Sequence, residues 1–429
     1  RYDESFAVAL VALRGFDIHF PETEEGIQAA FHAALHDVQV NQAARAIAEL
    51  VAAPVATDPA IHAIVNLLLQ AMNCAFAARP AFYPLITLKA VNLSLQHGMT
   101  DNSSFAFGNY ALMLVSLIGD IPTAVQVSEM SLKLNERFGN RHLNGKLLHL
   151  YGAHVNFWRR HIAANLPVLE RATAECMEVG DFVFAGNVAF NAVWQSLESG
   201  AALEDVQAIA EKYASLMRQS HNDAVYELVR VERQCVICLR GRTTKPFDLN
   251  DETFDETACF EAIVRSNFGC AIGVYRIIKV MLAFLDGRYV DALAAVQQAQ
   301  AVLNSVMALA IEPTFHFFHM LTLAALFPES SPEQQEMYKR MLAETLEKFE
   351  MWAGQCPENY QNRHALLSAE FARLEGRELD AMRLYEEAIR SARENGFAQH
   401  EGLASELAGR FYLRMGLATS AEGEARRDI

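Results

Sequence analysis

Apolar residues recur along the chain at helical intervals. Between residues 378 and 396, Ala381, Leu384, Tyr385, Ala388 and Ile389 fall at i, i+3, i+4, i+7 and i+8, which is the stripe of a half-buried helix. The opposite face carries Arg383, Glu386, Glu387 and Arg390, and Glu386, four residues before Arg390, adds weak surface support. Glu394, Asn395 and Gly396 end the stripe, because Asn and Gly accept the left-handed backbone that satisfies terminal carbonyls. Ala381 and Ala388, like Ala292 and Ala299, are small enough to let neighbouring helices approach closely.

The same arrangement, an apolar helix running into a Gly or polar turn and then a second helix, returns along the sequence. The turns fall at Gly119, about Arg160, Gly200, Gly241, Gly287, Gly376 and Gly416, with spacings of 41, 40, 41, 46, 89 and 40 residues. The longest spacing divides into two units if Phe327 and Pro328 mark a further turn. A period of about 40 residues accommodates two helices and two short turns, the signature of a helical-pair solenoid. One pair cannot bury its apolar face alone, so neighbours stack into a continuous core. No strand-rich segment interrupts the pattern. The expected organisation is one all-α repeat domain over residues 1–429, with an acidic surface loop inserted at 241–257 and an irregular edge at 417–429. A second short break, FPESSP, ends one helix and opens the next, with Ser331 as cap and Pro332 at the first helical position.

Composition agrees with helix. Gly and Pro together number 34 of 429 residues, and 52% of residues are hydrophobic. The net charge of −16 repels a polyanion from the average surface, which argues against nucleic acid as a direct ligand. Seven scattered cysteines form no secreted disulfide framework and fit a reducing, cytoplasmic setting. The uncharged stretch from Ala60 to Ala78 contains His62, Asn66, Gln70 and Asn73, which points to a soluble helix and against membrane insertion. No secretion signal opens the sequence, and the first residue, Arg1, reads as the start of a fragment or processed chain whose catalytic domains lie elsewhere.

Searches for chemistry end without a catalytic set, a metal site or a cofactor. GNRHLNGKLL, at 139–148, has five residues between its glycines and Leu147 where a phosphate loop needs Ser or Thr. There is no HExxH, GxSxG or kinase HRD and DFG set. Cys235 and Cys238 form a CxxC without a second close pair, and read as buried thiols in an amphipathic helix. His316 and His319 have metal-capable spacing but read as core or groove packing. Asn156, Phe157, Trp158, Arg159, Arg160 and His161 form a basic cluster at a helix end. Trp158, Arg159, Arg160 and His161 are candidates to contact an anion; the structural alternative is cations set against a helix C-terminus, with Trp158 plugging the next turn.

The segment LEGRELDAMRLYEEAIRSARENG resembles a tetratricopeptide repeat, with Gly376 at the inter-helix turn and Ala381, Tyr385 and Ala388 at the family's later signature positions. FLDGRYVDALAAVQQAQAVL repeats the likeness through Gly287, Tyr289, Ala292 and Ala299. The run from Cys356 to Leu413, with CPENY and ELAGRFYLRMG, is similar to the helical-repeat region of large bacterial and fungal multidomain signalling kinases. The likeness extends back through NFWRRH, KAVNLSLQHG and LRGFDIHFPETEE, and so covers nearly the whole chain. It departs at GLATSAEGEARRDI, where a further helix is expected. In those kinases a Ser/Thr-kinase-like domain and an AAA-type ATPase precede the repeats, and GAF and histidine-kinase domains commonly follow.

The resemblance implies a right-handed superhelical solenoid whose first helices line a concave groove. On that frame Asn187, Asn191 and Gln195, at i, i+4 and i+8, face the groove, and Asn191 lies near a position that bonds a ligand backbone in peptide-binding members. Asn109 and Tyr110 occupy comparable places one unit earlier. Structural amides between helices are the alternative. The implied function is a regulatory and interaction module of a cytoplasmic signalling kinase, itself no enzyme and without cofactor. Its expected partners are protein domains or a peptide in the groove, with a small-molecule effector and homo-oligomerisation through the longer protein also allowed. The rival reading is the ligand-sensing repeat domain of an ATPase-type transcription activator.

Overall fold

A computed structural model describes residues 2–43 and 45–416; the expected edge at 417–429 lies outside the described residues. Nineteen α-helices occur among them. Seven come first: α1 (Tyr2–Arg14), α2 (Glu24–Gln42), α3 (Pro59–Ala78), α4 (Tyr83–His97), α5 (Ser103–Met113), α6 (Ile121–Phe138) and α7 (Arg141–Leu150). Next are α8 (Leu166–Glu178), α9 (Phe182–Glu198), α10 (Leu203–Gln219), α11 (Asp223–Leu239), α12 (Glu256–Ser266) and α13 (Gly269–Leu285). The last six are α14 (Tyr289–Gln300), α15 (Ile311–Leu326), α16 (Pro332–Gln355), α17 (Pro357–Leu374), α18 (Glu378–Glu394) and α19 (Ala398–Arg414). The described residues contain no strand, only an isolated bridge between Val55 and Met99. The fold of the described residues is all-α, built from successive packed helical pairs.

The described residues of Arg1–Val155 and Glu170–Ala185 form one compact unit, those of Asn156–Leu169 and Gly186–Ile429 the other. In the first, α3 packs on α4, α4 on α5 and α5 on α6, while α5 also meets α7. In the second, α13, α14 and α15 pack successively, as do α15, α16 and α17, and then α17, α18 and α19. Alternate helices also touch, α11 with α13, α13 with α15 and α15 with α17. Two layers result, as expected of stacked helical pairs.

The layers differ in pattern for a physical reason. An outer helix such as α18 buries Ala381, Tyr385 and Ala388 along one stripe and leaves Arg383, Glu386 and Arg390 exposed. The inner helices are covered on nearly every side: α15 buries Phe315, Phe317, Phe318, Met320, Leu321 and Leu323, spanning the full turn. A helix apolar all round belongs inside.

All six glycine turns, at 119, 200, 241, 287, 376 and 416, have positive φ. Gly200 is doubly constrained, since its φ is +79° and an added Cβ would run into the Gly396 carbonyl oxygen. At the FPESSP break, Ser331 Oγ accepts from the Gln334 N–H with Pro332 opening α16. Residues 241–255 carry no helix, and Leu249 and Phe254 are buried there. Asp251 ties the segment down, accepting from the Thr253 and Phe254 amides at 2.7 and 2.9 Å and from Gln234 Nε2 at 2.7 Å.

Candidate functional site

Within the second unit, residues 156–162 meet α17 and the turn before α19. The turn after Asn156 places the Phe157 and Arg160 carbonyl oxygens where Asn359 Nδ2, on the first turn of α17, donates to both, at 2.7 and 2.9 Å. Asn359 Oδ1 accepts from the Ile162 N–H at 3.0 Å, so one buried amide joins segments about two hundred residues apart. Trp158 stacks on Tyr360 at 5.4 Å between ring centres and packs against Trp352 at 5.2 Å. His161 Nε2 lies 3.0 Å from the Asn395 carbonyl oxygen, and its ring packs on Phe397. NFWRRH and CPENY, two motifs distant in sequence, are therefore the two halves of one clasp.

Behind the clasp sits a buried ion pair. Arg363 on α17 meets Glu198 at the end of α9, with side chains only 3% and 8% exposed. Glu198 Oε2 also accepts from Thr314 Oγ1 at 3.0 Å, and its main-chain carbonyl accepts from Gln399 Nε2 at 2.9 Å. Burial pushes the Arg363 guanidinium down, to about 9, which leaves it charged at neutral pH. The Phe317 ring lies 5.9 Å below it. A cavity of about 10 Å3 beside the pair, lined partly by Phe157, Asn359 and Phe397, has room for one water-sized group.

The residues selected from sequence are placed as follows. Asn191 and Gln195 are buried on the inner face of α9, and Asn187 is half-buried. Asn191 Nδ2 donates to the Asn187 carbonyl oxygen at 2.8 Å. Gln195 Oε1 accepts from Asn165 Nδ2 at 3.0 Å, and Asn165 in turn accepts from Asn156 Nδ2. Gln195 is therefore tied to the packed segment 156–165, whereas the Asn191 side chain bonds back to its own helix. In the other unit, Asn109 and Tyr110 are buried in α5, where Asn109 accepts from Tyr83 Oη and donates to the Phe105 carbonyl oxygen, both at 2.8 Å. Of the basic cluster, Trp158 is buried in the clasp and His161 is half-buried, while Arg159 and Arg160 stay exposed. Glu198, Asn359 and Arg363 were not singled out from the sequence. The available signal was Arg363 at helical spacing from Tyr360, Leu366 and Leu367, since a charge on that stripe must find a buried partner.

Cys235 and Cys238 are buried, and burial raises both thiols. His316 and His319 pack near Phe315, and burial lowers them to about 3 and about 4. Among the described residues no group of three or more His, Cys, Asp and Glu is placed to hold a metal ion. No helix among them is long and apolar enough to cross a membrane.

Residues 255–407 match the family model for CHK1-like tetratricopeptide repeats. Hybrid signal transduction histidine kinase G of Dictyostelium discoideum is 21% identical over 164 residues, a match spanning 38% of this chain and 5% of that protein. Among solved structures, a circular tandem repeat protein with novel repeat topology and enhanced subunit contact surfaces aligns over 100% of this chain and 97% of its own at 11% identity. Its TM-score of 0.19 is too low to bear on the fold. Repeats of this kind generally present interaction surfaces and carry no catalysis of their own. Residues 255–407 are thus similar to CHK1-like tetratricopeptide repeats, and 38% of the chain is similar to part of a hybrid histidine kinase.

Proposed function

We propose that the chain is the regulatory repeat module of a signalling protein, coupling occupancy by a protein partner to kinase or ATPase domains outside it. The observation that carries this reading is the clasp. A helical array transmits a load between neighbours along its axis, and one whose ends are joined by directional polar contacts has two discrete arrangements, joined and parted. A partner that binds one arrangement better shifts the balance by its differential affinity. Because Asn191 and Gln195 on α9 are buried, the partner docks on outer surfaces and acts on the clasp from there. The likeness to a hybrid histidine kinase, over 38% of this chain, supports signalling as the setting.

The test uses the full-length protein encoded by the reading frame that contains this chain. ATP-dependent autophosphorylation is compared between wild type, Asn359→Ala and Gln399→Ala, with helicity followed by circular dichroism. The expected result is a change of threefold or more in rate in both variants while helicity is retained. Unchanged rates in folded variants, or a reading frame without an ATP-using domain, would overturn the proposal.

A further inference from the structure

At the C-terminal ends of the inner helices the second unit holds a cavity of about 60 Å3, separate from the clasp. Since a water needs roughly 10–15 Å3 of such space, the cavity holds about four water-sized positions, enough for a small polar group with an apolar shoulder. Three arginines converge on it: Arg373 from α17, and Arg410 and Arg414 from successive turns of α19. The floor is apolar, formed by Phe284 of α13, Leu321 of α15 and Phe411 of α19.

The arginines are not equally committed. Arg373 is held by buried Glu370, at 2.5 Å from Nη2 to Oε2, and also donates to the Ala324 carbonyl oxygen at 3.0 Å. Arg410 donates to Tyr289 Oη at 2.6 Å and pairs with Glu406 at 2.5 Å. Arg414 has no ion-pair partner among the described residues and is exposed. Against Glu370 and Glu406, the three guanidinium groups leave one positive charge in excess. Helix C-termini nearby carry partial negative charge that offsets a fraction of it. A singly charged carboxylate completes this balance, whereas a phosphate dianion would leave the site negative. Arg410 and Arg414 offer planar donors matched to a carboxylate.

We infer that this cavity binds the carboxylate of a monocarboxylic acid, held by Arg410 and Arg414, with the rest of the acid lying outside the cavity. The proposal stands independently of the signalling role. Such a carboxylate belongs either to a free small acid or to the C-terminal residue of a peptide, and the probes separate these sources.

Isothermal titration of the chain is run with N-acetylphenylalanine, with a hexapeptide ending in phenylalanine, with the same peptide as its C-terminal amide, and with inorganic phosphate. Saturable binding is expected for at least one of the two carboxylate probes, tenfold or more weaker for the amide and for phosphate. Tight binding of the small acid alone assigns a free metabolite-like acid, and tighter binding of the peptide assigns a protein terminus. Arg414→Gln and Arg410→Gln should each weaken the bound probe at least fivefold, with the melting temperature of Arg414→Gln unchanged. Absence of saturable binding to both carboxylates, preference for phosphate, or affinity indifferent to both substitutions would overturn the inference. So would a lowered melting temperature in both variants with unaltered affinity, which would make the arginines structural only.

Discussion

Replacing Arg363 with Met removes one member of the buried pair while keeping most of the side-chain volume. Glu198, 8% exposed, then retains only Thr314 Oγ1 as a side-chain donor to its carboxylate among the described residues. Removing one partner of a buried ion pair costs about 3–5 kcal/mol, chiefly because the other charge is left uncompensated. Glu198→Gln strands Arg363 in the same way but preserves an acceptor for Thr314. The double variant Arg363→Met with Glu198→Gln buries no charge, so its stability should lie closer to wild type than either single variant. The non-additivity should amount to about 2 kcal/mol or more. Urea unfolding followed by tryptophan fluorescence is the suitable assay, because all three tryptophans of the chain, Trp158, Trp194 and Trp352, lie in the second unit. Single variants each within about 1 kcal/mol of wild type, with additive effects, would refute the argument, since that is the behaviour of an exposed pair.

Gln195→Ala removes an acceptor of Asn165 Nδ2 and should lower stability by about 1–3 kcal/mol in the same fluorescence assay, since it unsettles a buried amide network. Burial holds His316, His319 and His400 below the ordinary histidine range. Their stabilising contribution is therefore complete above about pH 6.5 and lost as pH falls, each by about 1.4 kcal/mol per unit until its own folded value is reached. His400→Phe, at a site where the ring already stacks on Phe397, should flatten that acid loss, as a pH series of melts would show. Glu232 behaves oppositely: burial raises its carboxyl well above the ordinary value, and neither oxygen has a hydrogen-bond partner among the described residues. Its contribution is complete below about pH 4.5 and lost as pH rises towards the folded value, so Glu232→Gln should stabilise the chain more at pH 8 than at pH 5.

The repeat architecture was legible because its determinants are local. Each glycine turn needs a left-handed backbone that few other residues accept, and each outer helix writes its buried stripe into the sequence, as Ala381, Tyr385 and Ala388 do. The destination of the inner faces was not legible. Asn187, Asn191 and Gln195 all lie on α9, but the contact of Gln195 with Asn165 depends on where residues 156–165 run, and no periodicity records that. The clasp was half visible. NFWRRH and CPENY stood out as motifs, yet their meeting depends on the summed rotation of the helical pairs between them. Arg159 and Arg160 are exposed, while Trp158 is a core residue.

The central claim is that the segment following Asn156 is locked onto α17. Hydrogen–deuterium exchange of the peptide covering residues 156–165, in wild type and in Asn359→Ala, tests it directly. The Ile162 amide, bonded to Asn359 Oδ1, should be protected in wild type nearly as well as the centre of α17. In the variant, protection of that peptide should fall at least tenfold while the centre of α15 is unaffected. Exchange of residues 156–165 in wild type at the rate of an exposed loop would contradict the claim.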